Sequence, residues 1–168
     1  MRMQSTIAIS CGALIAAVVV GTSGRPSAAE ASTTFHGVWR TLEVTVPGPA
    51  ARTFKPEATL AIFHGRHYSR IEVHAEQPRP LLVDQATASA DQLRAVWGPF
   101  VGEAGTFEVA GNQITMHATV AKNPAVMAPG ASTVYTYRRD GDLLTLTQVR
   151  TPAGPASEPI TVKLTRIE

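Results

Sequence analysis

Three glycine turn signals, Gly65-Arg66, Gly111-Asn112 and Asp140-Gly141, each stand between two runs of side chains that alternate in polarity. A two-residue turn leaves no room for a crossover, so each pair of runs is an antiparallel hairpin whose turn fixes which residues face each other. The first two signals put glycine first, as a type II′ turn requires, and Asp-Gly suits type I′. Extending the period-two pattern from Gly37 onward predicts eight strands, at about 37–46, 57–64, 67–75, 103–110, 113–121, 132–139, 142–149 and 160–167. Between the third and fourth, Ser89 and Gln92 form a capping box, and Leu93 and Trp97 follow at helical spacing, which predicts one short helix at about 90–97. The tight turns all fall at one end of such a meander. The long Pro- and Gly-rich connections, about 47–56, 76–102, 122–131 and 150–159, fall at the other. This asymmetry predicts an all-β chain: an eight-stranded up-and-down antiparallel β-barrel with one short helix between strands 3 and 4.

Each hairpin register divides its side chains into two faces. In the first, Ala58, Leu60 and Ile62 stand opposite Val73, Ile71 and Ser69, and this more apolar face is expected to point inward. The Phe63–Tyr68 pair, Arg70, Glu72 and His74 then fall on the solvated face. In the second hairpin Gly105, Phe107 and Val109 stand opposite Ala118, Met116 and Ile114. In the third, Tyr137, Tyr135 and Thr133 stand opposite Leu144, Leu146 and Gln148, with Val162 and Arg166 inward on the last strand. Bulky inner residues lie near the tight turns and small or polar ones near the long loops, as in a cup with a floor and a mouth. The histidines of FHGRHYSRIEVH do not make a metal cluster on this reading. His67 and His74 lie on opposite faces, roughly 23 Å apart along an extended strand. No metal site is predicted.

The N-terminal segment has the pattern of an export signal: Met1 and Arg2, then the apolar run Ile7–Gly21, then small residues that suit signal peptidase at Ser27-Ala28-Ala29 or Ala29-Glu30-Ala31. The apolar run is shorter than the ~20 residues that span a bilayer, so residues 1–29 are expected to be removed, with no stable membrane insertion afterwards and an exported, periplasmic or extracellular product. Residues 30–35 are expected to be a disordered lead-in, and residues 36–168 one domain. Cys11, the only cysteine, leaves with the signal, so neither disulfides nor Cys-ligated zinc are expected. Of the 15 Lys and Arg, Arg2 and Arg25 also leave, whereas none of the 13 Asp and Glu does; 13 of each sign remain. The basic balance of the whole chain is therefore no argument for nucleic acid as a partner.

Gly37-Val38-Trp39 opens the first strand, GTFEVAGNQITMHATV and YTYRRDGDLLTLT follow in the middle, and KLTRIE closes the chain. In order and spacing these motifs resemble the bacterial lipocalin-like domain proteins over nearly all of residues 36–168. The chain departs from them in the Leu164-Thr165-Arg166 ending, which keeps the arginine but lacks the family's terminal Trp-Glu-Arg, and in His67-Tyr68-Ser69, where the family more often begins Gly-Tyr. The resemblance implies that Trp39 plugs the closed end of the barrel and that Arg166 lies across it, both as structural residues.

The expected function is binding of a small apolar molecule in the barrel, lined by Ile71, Val73, Phe107, Met116, Ala118, Tyr135, Tyr137, Leu146 and Gln148, with no cofactor. A barrel filled by its own side chains, serving a structural or partner-binding role, fits the same pattern. So does an isomerase- or cyclase-type enzyme for an apolar substrate. For the enzyme the candidate acids and bases are Tyr135, Tyr137, His117 and Glu43, which form no legible dyad, and no catalytic residue is assigned. An inner-face carboxylate or histidine beside Tyr135 would favour the enzyme, and a dry apolar inner face the binder. N-terminal sequencing of the exported protein is expected to find a start just after Ala29 or Ala31; an intact Met1 terminus in the membrane fraction would contradict export with cleavage.

Overall fold

The computed structural model describes residues 33–168. The export signal expected in residues 1–29 lies outside the described residues. The strands are β1 (Gly37–Val46), β2 (Arg52–Phe54), β3 (Ala58–His64), β4 (His67–Val73), β5 (Phe100–Ala110), β6 (Gln113–Ala121), β7 (Thr133–Asp140), β8 (Leu143–Thr151), β9 (Gly154–Pro155) and β10 (Thr161–Arg166). The neighbours run β10-β1-β3-β4-β5-β6-β7-β8, and β8 pairs β10 to close the ring. Eight antiparallel strands thus form a closed barrel. The helix α1 (Ala90–Trp97) follows β4, because the short strand β2, not anticipated from the sequence, shifts the strand count by one.

Period-two chemistry explains most of this. At α1, Gln92 N–H donates to Ser89 Oγ at 3.2 Å and Ser89 N–H donates to Gln92 Oε1 at 2.8 Å, closing the capping box. At the other end of α1, Lys122 donates to the carbonyls of Trp97, Gly98 and Phe100. A cation at a helix C-terminus meets unpaired carbonyls and the negative end of the dipole, so the ammonium fastens α1 to the far end of β6. The β5–β6 pairs are those expected near the turn, Val109 with Ile114, Phe107 with Met116 and Gly105 with Ala118.

The third hairpin is a correction. Tyr137 pairs Leu146 and Tyr135 pairs Gln148, one pleat away from expectation, because the turn residues are Gly141-Asp142 and not Asp140-Gly141. Type I′ would demand positive φ from Asp140. Instead Gly141 takes φ 57° as the first turn residue, like Gly65 at 57° and Gly111 at 60°. Side chains keep their faces because the register moves by an even number.

The first hairpin is the larger correction. Its register is as expected, His64 with His67 through Ala58 with Val73, but its faces are inverted. Phe63, Tyr68 and Glu72 are buried, whereas Leu60 and Ile62 are 41% exposed and Ile71 is 52% exposed. Apolar content misassigned the face because aromatic packing decides it. Phe63 meets Phe107 edge-on at 5.4 Å and Phe35 at 5.6 Å, at the floor of the barrel. Phe35, expected in a disordered lead-in, is wholly buried and is part of that floor.

Trp39 is also wholly buried, and its indole donates to Phe35 O at 2.7 Å. Arg166, paired with Trp39 across β1 and β10, holds its guanidinium 4.8 Å from the indole centroid, and Arg139 approaches the ring at 5.9 Å. A bulge between Thr41 and Glu43 resets the alternation, so that Trp39, Thr41 and Val44 are all buried. Only Gly37–Trp39 of β1 pair β3, and β2 pairs Val44–Val46 farther along that edge, with Phe54 opposite Val44. The β6–β7 ladder is likewise confined to Gln113–Met116 against Thr133–Thr136.

Trp39→Ala is expected to cost about 3–5 kcal/mol in urea unfolding, and Arg166→Leu about 0.5–2 kcal/mol. Comparable losses for the two would show that Arg166 carries more of the floor than a cation over a ring.

Candidate functional site

Inverting the β3–β4 hairpin turns a row of ionisable groups into the barrel. Tyr68, Arg70 and Glu72 alternate along β4, and His74 follows one pleat beyond its end. From β5, opposite Arg70, comes Glu103. Arg70 Nε donates to Glu103 Oε1 at 3.0 Å, and the Tyr68 hydroxyl donates to the same oxygen at 3.3 Å. Glu72, 3% exposed, accepts from the Thr41 hydroxyl at 3.4 Å on Oε1, and its Oε2 lies 2.6 Å from His74 Nε2. Tyr135 reaches in from β7, on the far wall, beside the Arg70 guanidinium.

The electrostatics of this row follow from burial and pairing. Burial disfavours the Glu72 carboxylate, but the His74 hydrogen bond and the Arg70 charge outweigh it and hold its pKa below the ordinary value. Burial raises the Tyr135 phenol, and the Glu103 and Glu72 charges push it the same way against Arg70. Burial and Glu103 likewise raise Tyr68. Both tyrosines therefore remain phenols near neutral pH. Burial works against the Arg70 charge, but the Glu72 and Glu103 carboxylates and the Glu103 hydrogen bond outweigh it, so it stays protonated.

These groups border a cavity of ≈ 310 Å³. Arg70, Glu72, His74, Tyr135 and Gln148 are its polar lining. Val44, Val46, Phe54, Ile160 and Val162 are its apolar lining, and Arg52, 5.0 Å over the Phe54 ring, stands at the rim. The position fits the expected cup, since β1 ends and β10 begins at the long-loop end. The volume sits at the lower limit of ligand pockets, ≈ 300–1,000 Å³.

Of the nine residues expected to line the cavity, Tyr135 and Gln148 do so. Ile71 faces outward. Val73 is buried, but it lies on the outward-facing register of β4. Phe107, Met116 and Leu146 are buried in the core, and Tyr137 packs edge-on against Phe35 at 4.8 Å with its hydroxyl on Gly111 O. Ala118 lies against Gly105, where even a Cβ would meet the His117 carbonyl, so that pair is close-packed rather than open. Among the other acid–base candidates, His117 is exposed and Glu43 pairs with Lys163 at 2.7 Å. Trp39 and Arg166 are at the floor, away from the cavity.

Sequence reasoning passed over Arg70, Glu72 and His74 as a solvated face. The signal that would have found them is Glu103, a carboxylate on the inner register of β5 that needs a cation opposite. No tight turn joins β4 to β5, so that pairing could not be read. Among the described residues no group of three His, Cys, Asp or Glu is placed to hold a metal ion. Comparison with family models, curated proteins and solved structures returns no match.

Because its folded pKa is depressed, Glu72 contributes stability that is present above the ordinary carboxyl value of 4.5 and lost as pH falls through its folded pKa. The stability gap between wild type and Glu72→Gln is therefore expected to be widest near neutral pH and to shrink below 4.5, measured by urea titration across that range. A gap that widens in acid would mean that burial, not pairing, governs this carboxyl.

Proposed function

We propose that the protein is an exported carrier or receptor for a small amphipathic molecule, held in the long-loop half of the barrel. The observation that supports this best is the mixed lining of the cavity, apolar walls with a few polar side chains among them. Valines, Phe54 and Ile160 offer apolar walls, and among them Arg70 and Tyr135 offer hydrogen bonds deeper in the barrel, with His74 beside Phe54 and Gln148 beside Ile160 nearer the mouth. Pockets of this composition take their affinity from the apolar walls and their orientation from the few polar groups. A purely apolar ligand would desolvate the hydrogen-bonding atoms of these groups that have no protein partner, at a cost of about 1–3 kcal/mol for each such atom. The ligand class is therefore an apolar skeleton carrying a hydrogen-bond acceptor, of a size suited to ≈ 310 Å³. The floor half contributes no space, because Phe35, Phe63, Phe107 and Ile114 fill it. The likeness of the strand motifs to lipocalin-like proteins and the N-terminal export pattern support the same reading.

Calorimetry with a matched cyclic ketone, alcohol and hydrocarbon tests it. The ketone is expected to bind more tightly than the hydrocarbon. Tyr135→Phe is expected to weaken the ketone by about 0.5–1.5 kcal/mol and to leave the hydrocarbon unchanged. Val46→Trp, at the mouth, is expected to abolish both. A wild type that binds none of the three would overturn the proposal.

A further inference from the structure

We infer that the cavity is also a site of proton transfer, acting on carbon next to the carbonyl of a small ketone, with His74 as the base and Tyr135 as the donor to the carbonyl oxygen. The inference rests on the binding proposed above and adds chemistry to it.

The argument begins with Glu72. An ionised carboxylate only accepts hydrogen bonds. Its contact with His74 Nε2, at 2.6 Å, therefore places a proton on that nitrogen. A neutral His74 then carries its lone pair on Nδ1, which has no hydrogen-bond partner among the described residues, on a ring that lines the cavity. A carboxylate that fixes an imidazole's tautomer and stabilises the imidazolium formed on proton uptake is the arrangement a general base needs. Thr41 steadies the other Glu72 oxygen, and the Phe54 ring stands edge-on to the imidazole at 6.0 Å.

The opposite wall supplies the complement. The Tyr135 phenol is kept protonated by its surroundings and has a guanidinium beside it. Arg70 is itself anchored by Glu103, so it stays in place as a fixed positive charge. A phenol donor backed by a fixed cation, away from bulk water, stabilises negative charge that develops on an oxygen. The cavity lining contains no serine, cysteine or lysine, so covalent attack on the carbonyl has no amine, thiol or aliphatic hydroxyl to begin it.

The step balances without a further reactant. His74 Nδ1 takes the proton from the carbon between the carbonyl and an alkene. The C–H electron pair becomes a C=C bond to the carbonyl carbon, and the oxygen, now an enolate, accepts from Tyr135. The imidazolium returns the proton at the far end of the conjugated system, giving the α,β-unsaturated ketone. Where the imidazolium first exchanges that proton with water, return to the original carbon leaves the ketone unchanged but carrying solvent hydrogen. Glu72 is a positioning residue, since it acts through His74.

The test uses the protein purified without residues 1–29 and two probes. Cyclohexanone in heavy water reports deuterium uptake by NMR, and the β,γ-unsaturated isomer of cyclohexenone reports conjugation by ultraviolet absorbance. Binding of each probe is measured separately by calorimetry. Wild type is expected to accelerate both reactions over buffer containing free imidazole. His74→Gln is expected to lower the rate at saturating probe by about 100-fold or more, and Tyr135→Phe by about 100-fold. Glu72→Gln is expected to lower the rate at saturation by a much larger factor than it raises the dissociation constant, a split that a merely structural role would not give. A wild type that binds the ketones yet exchanges them no faster than His74→Gln overturns the inference and leaves the binding proposal standing. A wild type that binds neither probe overturns both.

Discussion

A guanidinium inside a β-barrel must be neutralised where it stands, because moving it from water into protein costs several kcal/mol even after relaxation. Arg70 meets that demand with Glu103 at 3.0 Å and with Glu72 one pleat along its own strand. The pair does more than satisfy a charge. Arg70 and Glu103 stand opposite each other in the β4–β5 ladder, which no tight turn sets, so their attraction opposes a slip of that register. A slip of one residue would turn one of the two outward and leave the other buried alone, at about 3–5 kcal/mol. The facing of β4, and with it the placement of Glu72 and His74 in the cavity, is held by this pair together with the aromatic packing of Phe63 and Tyr68.

The barrel interior is consequently split along its axis. Its floor is a dry cluster in which Phe35, Phe63, Phe107 and Tyr137 meet ring to ring and Trp39 lies under two arginines. Above it, Tyr68 marks the boundary, with a ring stacked on Phe63 at 6.3 Å and a hydroxyl on Glu103. Beyond that boundary the β4 wall is ionisable out to His74, and the walls of β1, β2 and β10 beside it are apolar. The floor is filled with aromatic volume, and the upper half carries the ionisable groups and the cavity.

The fold was legible because alternation and turn chemistry are local. Glycine at the first turn position fixed two hairpins to the residue, and the capping box at Ser89 located α1. Local signals ended where the site began. Both faces of β3–β4 read as amphipathic, and the choice between Leu60, Ile62 and Ile71 on one side and Phe63, Tyr68 and Arg70 on the other depended on neighbours far along the chain: Phe35 and Phe107 for the aromatics, Glu103 for the arginine. Two candidates, Tyr135 and Gln148, were found because β7 and β8 kept their faces despite the shifted pairing. His74 was missed because a histidine two residues after a glutamate looks the same on an inner face as on an outer one.

The two short ladders give the barrel a mechanical character. β1 pairs β3, and β6 pairs β7, only beside the tight turns. Between these seams lie β3–β6 on one side and β7, β8, β10 and β1 on the other, each a run of four strands with longer ladders. The molecule is thus a bivalve, two curved shells joined at the floor. One shell carries Arg70, Glu72, His74 and Glu103; the other carries Tyr135, Gln148, Val44 and Val162. Flexing about the seams changes the gap between His74 and Tyr135 without breaking any ion pair within a shell. The width of the mouth and the spacing of the polar groups across the cavity are one coordinate.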